Sequence, residues 1–246
     1  LADRFCLVGT ERGAVSTLAS KELVQPFAPD VFHQDSSGTK LDNVKQIIRD
    51  MTQRSKCLAG SDVGVVLGAE NALVRKVPVA LGSSEEMIKE QMRWEAEQRI
   101  VTSLKEYLMD YQQLPILTRD GNPQYLLILM RKQIVNVLKE ITRELRLTLR
   151  DLDIDHFSEI RTVLSNYEVE DTDVTVIITV KQKTFTITVV NQLEYFLSHR
   201  VTNKSKNVTV EETSQAVVKE LRRLIFGHKL GTNLSDVQKV FLIAHD

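Results

Sequence analysis

Apolar residues recur at two spacings between Glu85 and Leu114, in the stretch EEMIKEQMRWEAEQRIVTSLKEYLMDYQQL. Ile88, Met92, Ala96, Ile100 and Leu104 follow one another every four residues, and Met87, Trp94, Val101 and Leu108 every seven. Both spacings return to one side of a helix with 3.6 residues per turn. The expectation is a long amphipathic helix with an apolar stripe on one face and Glu, Lys, Gln and Arg on the other. It runs into a strand carrying Met109-Asp110-Tyr111-Gln112.

The pattern elsewhere alternates short strands with helices. Phe5–Val8 and Val15–Ala19 read as a hairpin, 25–39 as a loop rich in Pro, Asp, Ser and Gly, and 42–55 as a helix through Val44, Ile47, Ile48 and Met51. Val63–Leu67 is a strand. Asp120-Gly121 marks a turn before an apolar strand at 124–130. Helices are expected at 133–149, with Ile134, Val137, Leu138, Ile141 and Leu145 on one face, and at 152–166. Two runs dense in Val, Ile and Thr, 174–180 and 184–190, form the clearest hairpin. A helix at 208–228 opens on a capping box of Thr209 and Glu212. A strand at 237–243 follows. This order defines an α/β protein.

Composition narrows the function classes. The chain has 246 residues, a formal net charge of −1, 42% hydrophobic and 26% charged residues. That is ample for a core and gives no general drive toward nucleic acid or anionic membrane surfaces. Two cysteines, Cys6 and Cys57, make no disulfide framework and read as reduced thiols. The five histidines form no H-x-x-x-H or Cys/His cluster, so no metal site is expected. Asp151, Asp153 and Asp155 alternate but lack the glycine of a calcium loop, and they read as a solvated segment near a helix start. No G-x-S-x-G motif or Cys/His pair declares a catalytic nucleophile. The sole tryptophan, Trp94, suits either a core position or the anchor of a peptide groove.

The helix and strand together carry a more specific signal. Glu95, Ala96, Glu97 and Ile100, followed by Asp110, Tyr111 and Gln112, resemble the "E-A-E-x-x-I-P" helix and "D-Y-Q" strand of the PilM family, actin-like proteins of type IV pilus assembly within the FtsA/PilM superfamily. Val101 stands where that family has its proline. Arg75 and Pro78 are similar to the family's "R-x-x-P" strand, and Leu147 with Asp153 or Asp155 to its "G-L … D" boundary. Glu220, Arg222 and Arg223 resemble its "E-x-x-R" helix. The resemblance implies an actin-like, ribonuclease H-like α/β fold with a small inserted α/β subdomain. The first actin-like subdomain would comprise residues 1–73 and 151–168, the insertion 74–150, and a partial second subdomain 169–246. An actin-like fold continues beyond such a last strand, so the resemblance also implies a C-terminally incomplete one.

The family's nucleotide signals are altered here. Leu7-Val8-Gly9-Thr10 stands in place of "D-I-G-S/T", keeping Gly9 and Thr10 as a vestige without the aspartate. Ile178-Thr179-Val180 replaces the second "D-I-G", and Ala244-His245 the adenosine-side "G-G". A β-branched residue in place of Gly blocks close backbone approach to phosphate, and an apolar one in place of Asp removes a hard-cation ligand. The expectation is therefore a non-enzymatic, degenerate actin-like scaffold with no cofactor, ATP and Mg²⁺ included. What the resemblance implies is a cytoplasmic protein at the inner face of the inner membrane. It would grip the N-terminal cytoplasmic tail of a PilN-like membrane protein, near the pilus assembly ATPase. Arg75, Arg93, Trp94 and Glu97 are the partner-binding residues this implies. The alternatives are a nucleotide-dependent actin-like ATPase similar to FtsA, and a cytoplasmic domain resembling that of the secretion protein GspL.

Overall fold

The computed structural model describes residues 2–11, 14–27, 45–50, 60–118, 120–181, 184–202 and 209–244. The loop expected at 25–39 begins instead as strand, since 25–27 end β2; its remainder and most of the helix expected at 42–55 lie outside the described residues, as do Cys57 and His245. The chain divides into two compact units: Leu1–Gln113 with Thr118–Ile154, and Leu114–Leu117 with Asp155–Asp246.

In the first unit, β1 (Ala2–Glu11) and β2 (Ala14–Phe27) pair antiparallel, with Gly9 opposite Ser16 and Thr10 opposite Val15. A short helix α1 covers 45–50. β3 (Asp62–Leu67) pairs in parallel with β7 (Thr148–Ile154), and an ion pair of 2.9 Å between Arg150 and Asp62 spans the start of that ladder. β4 (Ala72–Pro78), β6 (Pro123–Arg131) and β5 (Tyr107–Leu117, its last four residues counted with the second unit) form a three-stranded sheet in the order β4-β6-β5. α2 (Glu85–Glu97) packs on one face of it. α3 (Lys132–Glu144) puts Ile134, Val135 and Leu138 against Val65, Leu67, Leu149 and Leu152 of β3 and β7. Lys45 and Arg49 of α1 reach Glu140 and Glu144 of α3.

Two expectations change here. The helix expected at 133–149 stops at Glu144, and residues 148–154, partly expected as the start of the next helix, form β7. The stop is a Schellman motif: Arg146 takes φ 56°, Leu147 N–H donates to Thr142 O at 2.8 Å, and Arg146 N–H to Arg143 O at 3.1 Å. Asp151 and Asp153 thus alternate along a parallel strand, with Ile154 buried.

In the second unit, β8 (Val174–Lys181), β9 (Thr184–Asn191), β10 (Glu194–Thr202) and β11 (Lys239–Ala244) form a sheet in the order β10-β9-β8-β11, with β11 parallel to β8. α5 (Val210–Gly227) covers one face, where Leu221, Leu224 and Ile225 meet Val176, Ile178, Phe185, Ile187 and Val189. α4 (Asp155–Asn166) covers the other, through Ile160 and Val163 on Ile177 and Val190. The sequence reading places 151–168 with the first subdomain; in the structure α4 packs on this second sheet. The capping box of α5 forms as read: Glu212 N–H donates to Thr209 Oγ1 at 3.2 Å, and Thr209 N–H to the Glu212 carboxylate at 2.9 Å. Thr209→Ala is expected to lower stability by about 1 kcal/mol, seen as a shifted midpoint in urea without a change of slope.

Candidate partner-binding surface

α2 begins where Ser84, in extended conformation, accepts a hydrogen bond from Met87 N–H at 3.3 Å, with Glu85 and Glu86 favourably placed in the positive first turn. Met92 and Ala96 are fully buried against Val77, Val79, Leu127 and Leu129, with Ile88 packed beside them. Gln91 ties the helix to the end of β4 by donating to Pro78 O at 2.8 Å. The helix ends at Glu97, short of the expectation, and Tyr107–Leu117 is the strand carrying Asp110-Tyr111-Gln112.

The two apolar series separate. The four-residue series supplies the core, whereas Met87 and Trp94 are each 58% exposed and Val101 and Leu108 lie beyond the helix, also exposed. Successive helical residues point about 100° apart. A series starting at Met87 therefore cannot share a face with one starting at Ile88. Trp94 stands on the outer face of α2, outside the core of this subdomain.

Arg93, Trp94 and Glu97 are all exposed on α2, and Arg75 is exposed on β4, the edge strand of the sheet. Arg75 shares its pleat face with Leu73 and Val77, which pack in the α2 cluster. The structure therefore gathers Arg93, Trp94 and Glu97 on one helix and leaves Arg75 on the sheet that this helix covers. The sequence reading named no contact at Met87, Glu86 or Glu90, which are exposed on the same side of α2 as Trp94. The one-residue offset between the two series was the signal that could have found them.

A second polar cluster lies in the second unit. His156 is only 3% exposed; its ring stacks on Tyr195, with centroids at 5.3 Å, and lies tilted against Phe157 at 4.2 Å. Its Nδ1 lies 3.6 Å from Asp155 Oδ1, and neither ring nitrogen has a hydrogen-bond partner among the described residues. Lys181 Nζ stands 3.4 Å from Asp155 Oδ2, and Thr179 Oγ1 donates to Glu159 at 2.8 Å. Burial pushes the Asp155 carboxyl up, but His156 and Lys181 outweigh it and hold it below the usual range. Burial pushes Glu159 up, against the Thr179 hydrogen bond and with help from the Asp155 charge.

The signs differ for the two acids. Glu159 favours its protonated form in the fold, so the stability it adds is complete below its unfolded value and is lost as pH rises through the raised one. Thermal melts from about pH 4.5 upward should decline for the wild type relative to Glu159→Gln. A difference that stays constant with pH would show that Glu159 titrates normally.

The β10-β9-β8-β11 sheet, with β11 parallel to β8 and helices on both faces, is an α/β arrangement, and the solved structures similar to this chain make its fold actin-like. A Bacteroides thetaiotaomicron protein with actin-like ATPase fold and unknown function is similar to it, with a TM-score of 0.51 and 11% identity over 98% of this chain and 87% of that one. A PilM–PilN type IV pilus biogenesis complex contains a chain similar at a TM-score of 0.72, with 16% identity over 99% of this chain and 79% of that one. No curated protein matches in sequence. Residues 16–207 match the family of type IV pilus assembly protein PilM, and the chain belongs to that family.

Proposed function

We propose that this PilM-family chain is a scaffold of a type IV pilus or related machine that holds the cytoplasmic tail of a PilN-like membrane protein without using ATP. The observation that carries this reading is the exposed Trp94 on a helix otherwise anchored by buried Met92 and Ala96, in a chain whose fold is shared with a PilM in a PilM–PilN complex. Arg75, Arg93, Trp94 and Glu97 are the proposed contacts. The protein would work in the cytoplasm at the inner face of the inner membrane, near the assembly ATPase. No helix among the described residues is long and apolar enough to cross a membrane.

Independence from nucleotide is supported by the second hairpin. Residues 174–181 contain neither Asp nor Gly and run in unbroken register with β9 from Val174 opposite Asn191 to Lys181 opposite Thr184. Val176 and Ile178 are committed to the core, Thr179 bonds Glu159, and the cation of Lys181 lies beside Asp155. These residues do not fit a Mg²⁺–triphosphate cradle, which needs a glycine for backbone approach and a carboxylate free for the metal waters. Calorimetric titration with the tail peptide, with and without ATP and Mg²⁺, tests the reading. Equal binding in both conditions and no heat from ATP alone is expected. Micromolar ATP binding would restore a nucleotide switch, and absence of tail binding would sink the scaffold assignment.

A further inference from the structure

We infer that the segment seated on α2 is basic and amphipathic, with apolar side chains on Met87 and Trp94 and lysines or arginines on Glu86, Glu90 and Glu97. This rests on the tail-binding reading above and names the chemistry of that tail. Met87 and Trp94 are seven residues apart on the outer face, so they form a row of roughly 10 Å along the helix axis. Met87 and Trp94 are two exposed apolar side chains on one side of the helix, with Glu90 and Gln91 in the turn between them, and aromatic anchors of this kind dominate binding surfaces.

Charge selects the occupant. α2 carries five carboxylates against two cations, in a chain whose net charge is only −1. Glu86, Glu90 and Glu97 are exposed along the flank of the row, and none of them makes an ion pair among the described residues. Carboxylates lining an apolar row are repelled by anionic lipid, which argues against a bilayer as the occupant. They attract cations on a protein segment, and segments next to a membrane on its cytoplasmic side carry an excess of Lys and Arg.

The test uses the full chain and a synthetic copy of the PilN-like partner's cytoplasmic tail. Trp94 is the sole tryptophan, so its emission reports contact at this surface directly. The wild type should bind with a blue shift, and binding should weaken as salt rises. Glu86→Gln, Glu90→Gln and Glu97→Gln together should weaken it at least tenfold and flatten the salt dependence. Met87→Ala should weaken it without changing that dependence. These sites are exposed, and circular dichroism will confirm that the variants fold. Undiminished affinity and an unchanged salt slope in the triple variant would overturn this inference and leave tail binding intact. Binding without any change in Trp94 emission would overturn it as well. No binding by the wild type would overturn both.

Discussion

Phe185→Ala is expected to destabilise the protein by about 3–5 kcal/mol, the usual cost of emptying a large aromatic site in a packed core. Phe185 is fully buried on β9, opposite Val180 on β8 and Val201 on β10, and it belongs to the cluster that joins the sheet to Leu221, Leu224 and Ile225 of α5. Its removal leaves a void lined by β-branched side chains whose rotamers are stiff and close it poorly. Against a total stability of about 5–15 kcal/mol for a typical domain, that loss is a large fraction of what holds the second unit folded. Urea denaturation followed by circular dichroism measures it. A shift below about 1 kcal/mol would mean that the cluster tolerates the cavity by collapse and is not the core of this unit.

Trp94→Ala should do the reverse: leave the unfolding midpoint almost unchanged and reduce affinity for the tail by a factor of roughly 30 or more, the mark of a hot-spot residue. Met92→Ala, two residues away, should cost about 2–5 kcal/mol, because Met92 is fully buried between α2 and the β4-β6-β5 sheet. The pair separates binding from folding on one helix. If Trp94→Ala binds as well as wild type while remaining folded, the outer face of α2 is not the docking surface. If it unfolds with Met92→Ala, Trp94 packs where its exposure says it does not.

The strongly patterned elements could be read directly. The 174–180 and 184–190 hairpin, the Thr209–Glu212 cap and the 124–130 strand all appear where periodicity and capping chemistry put them. β10 was not legible. Its turn is made by Gln192 and Leu193, with φ 55° and 61°, where such a hairpin usually announces itself with Asn or Gly. Its Glu194, His199 and Arg200 also interrupt the apolar run, as suits an edge strand. The end of α3 was hidden for the same reason, since Arg146 rather than glycine takes the left-handed position. At the candidate surface, Arg75, Arg93, Trp94 and Glu97 were named from resemblance, and all four are exposed. Their acidic neighbours required knowing which helix face is buried.

That α2 commits only Met92 and Ala96 fully to the interior has an evolutionary side. The half of the helix facing water can change sequence with little effect on folding. Related machines could therefore acquire distinct partners by drift at Met87, Glu90, Arg93, Trp94 and Glu97 while the subdomain beneath stays the same. On the proposed reading, partner choice and fold maintenance lie on opposite sides of one helix, and selection can act on either alone.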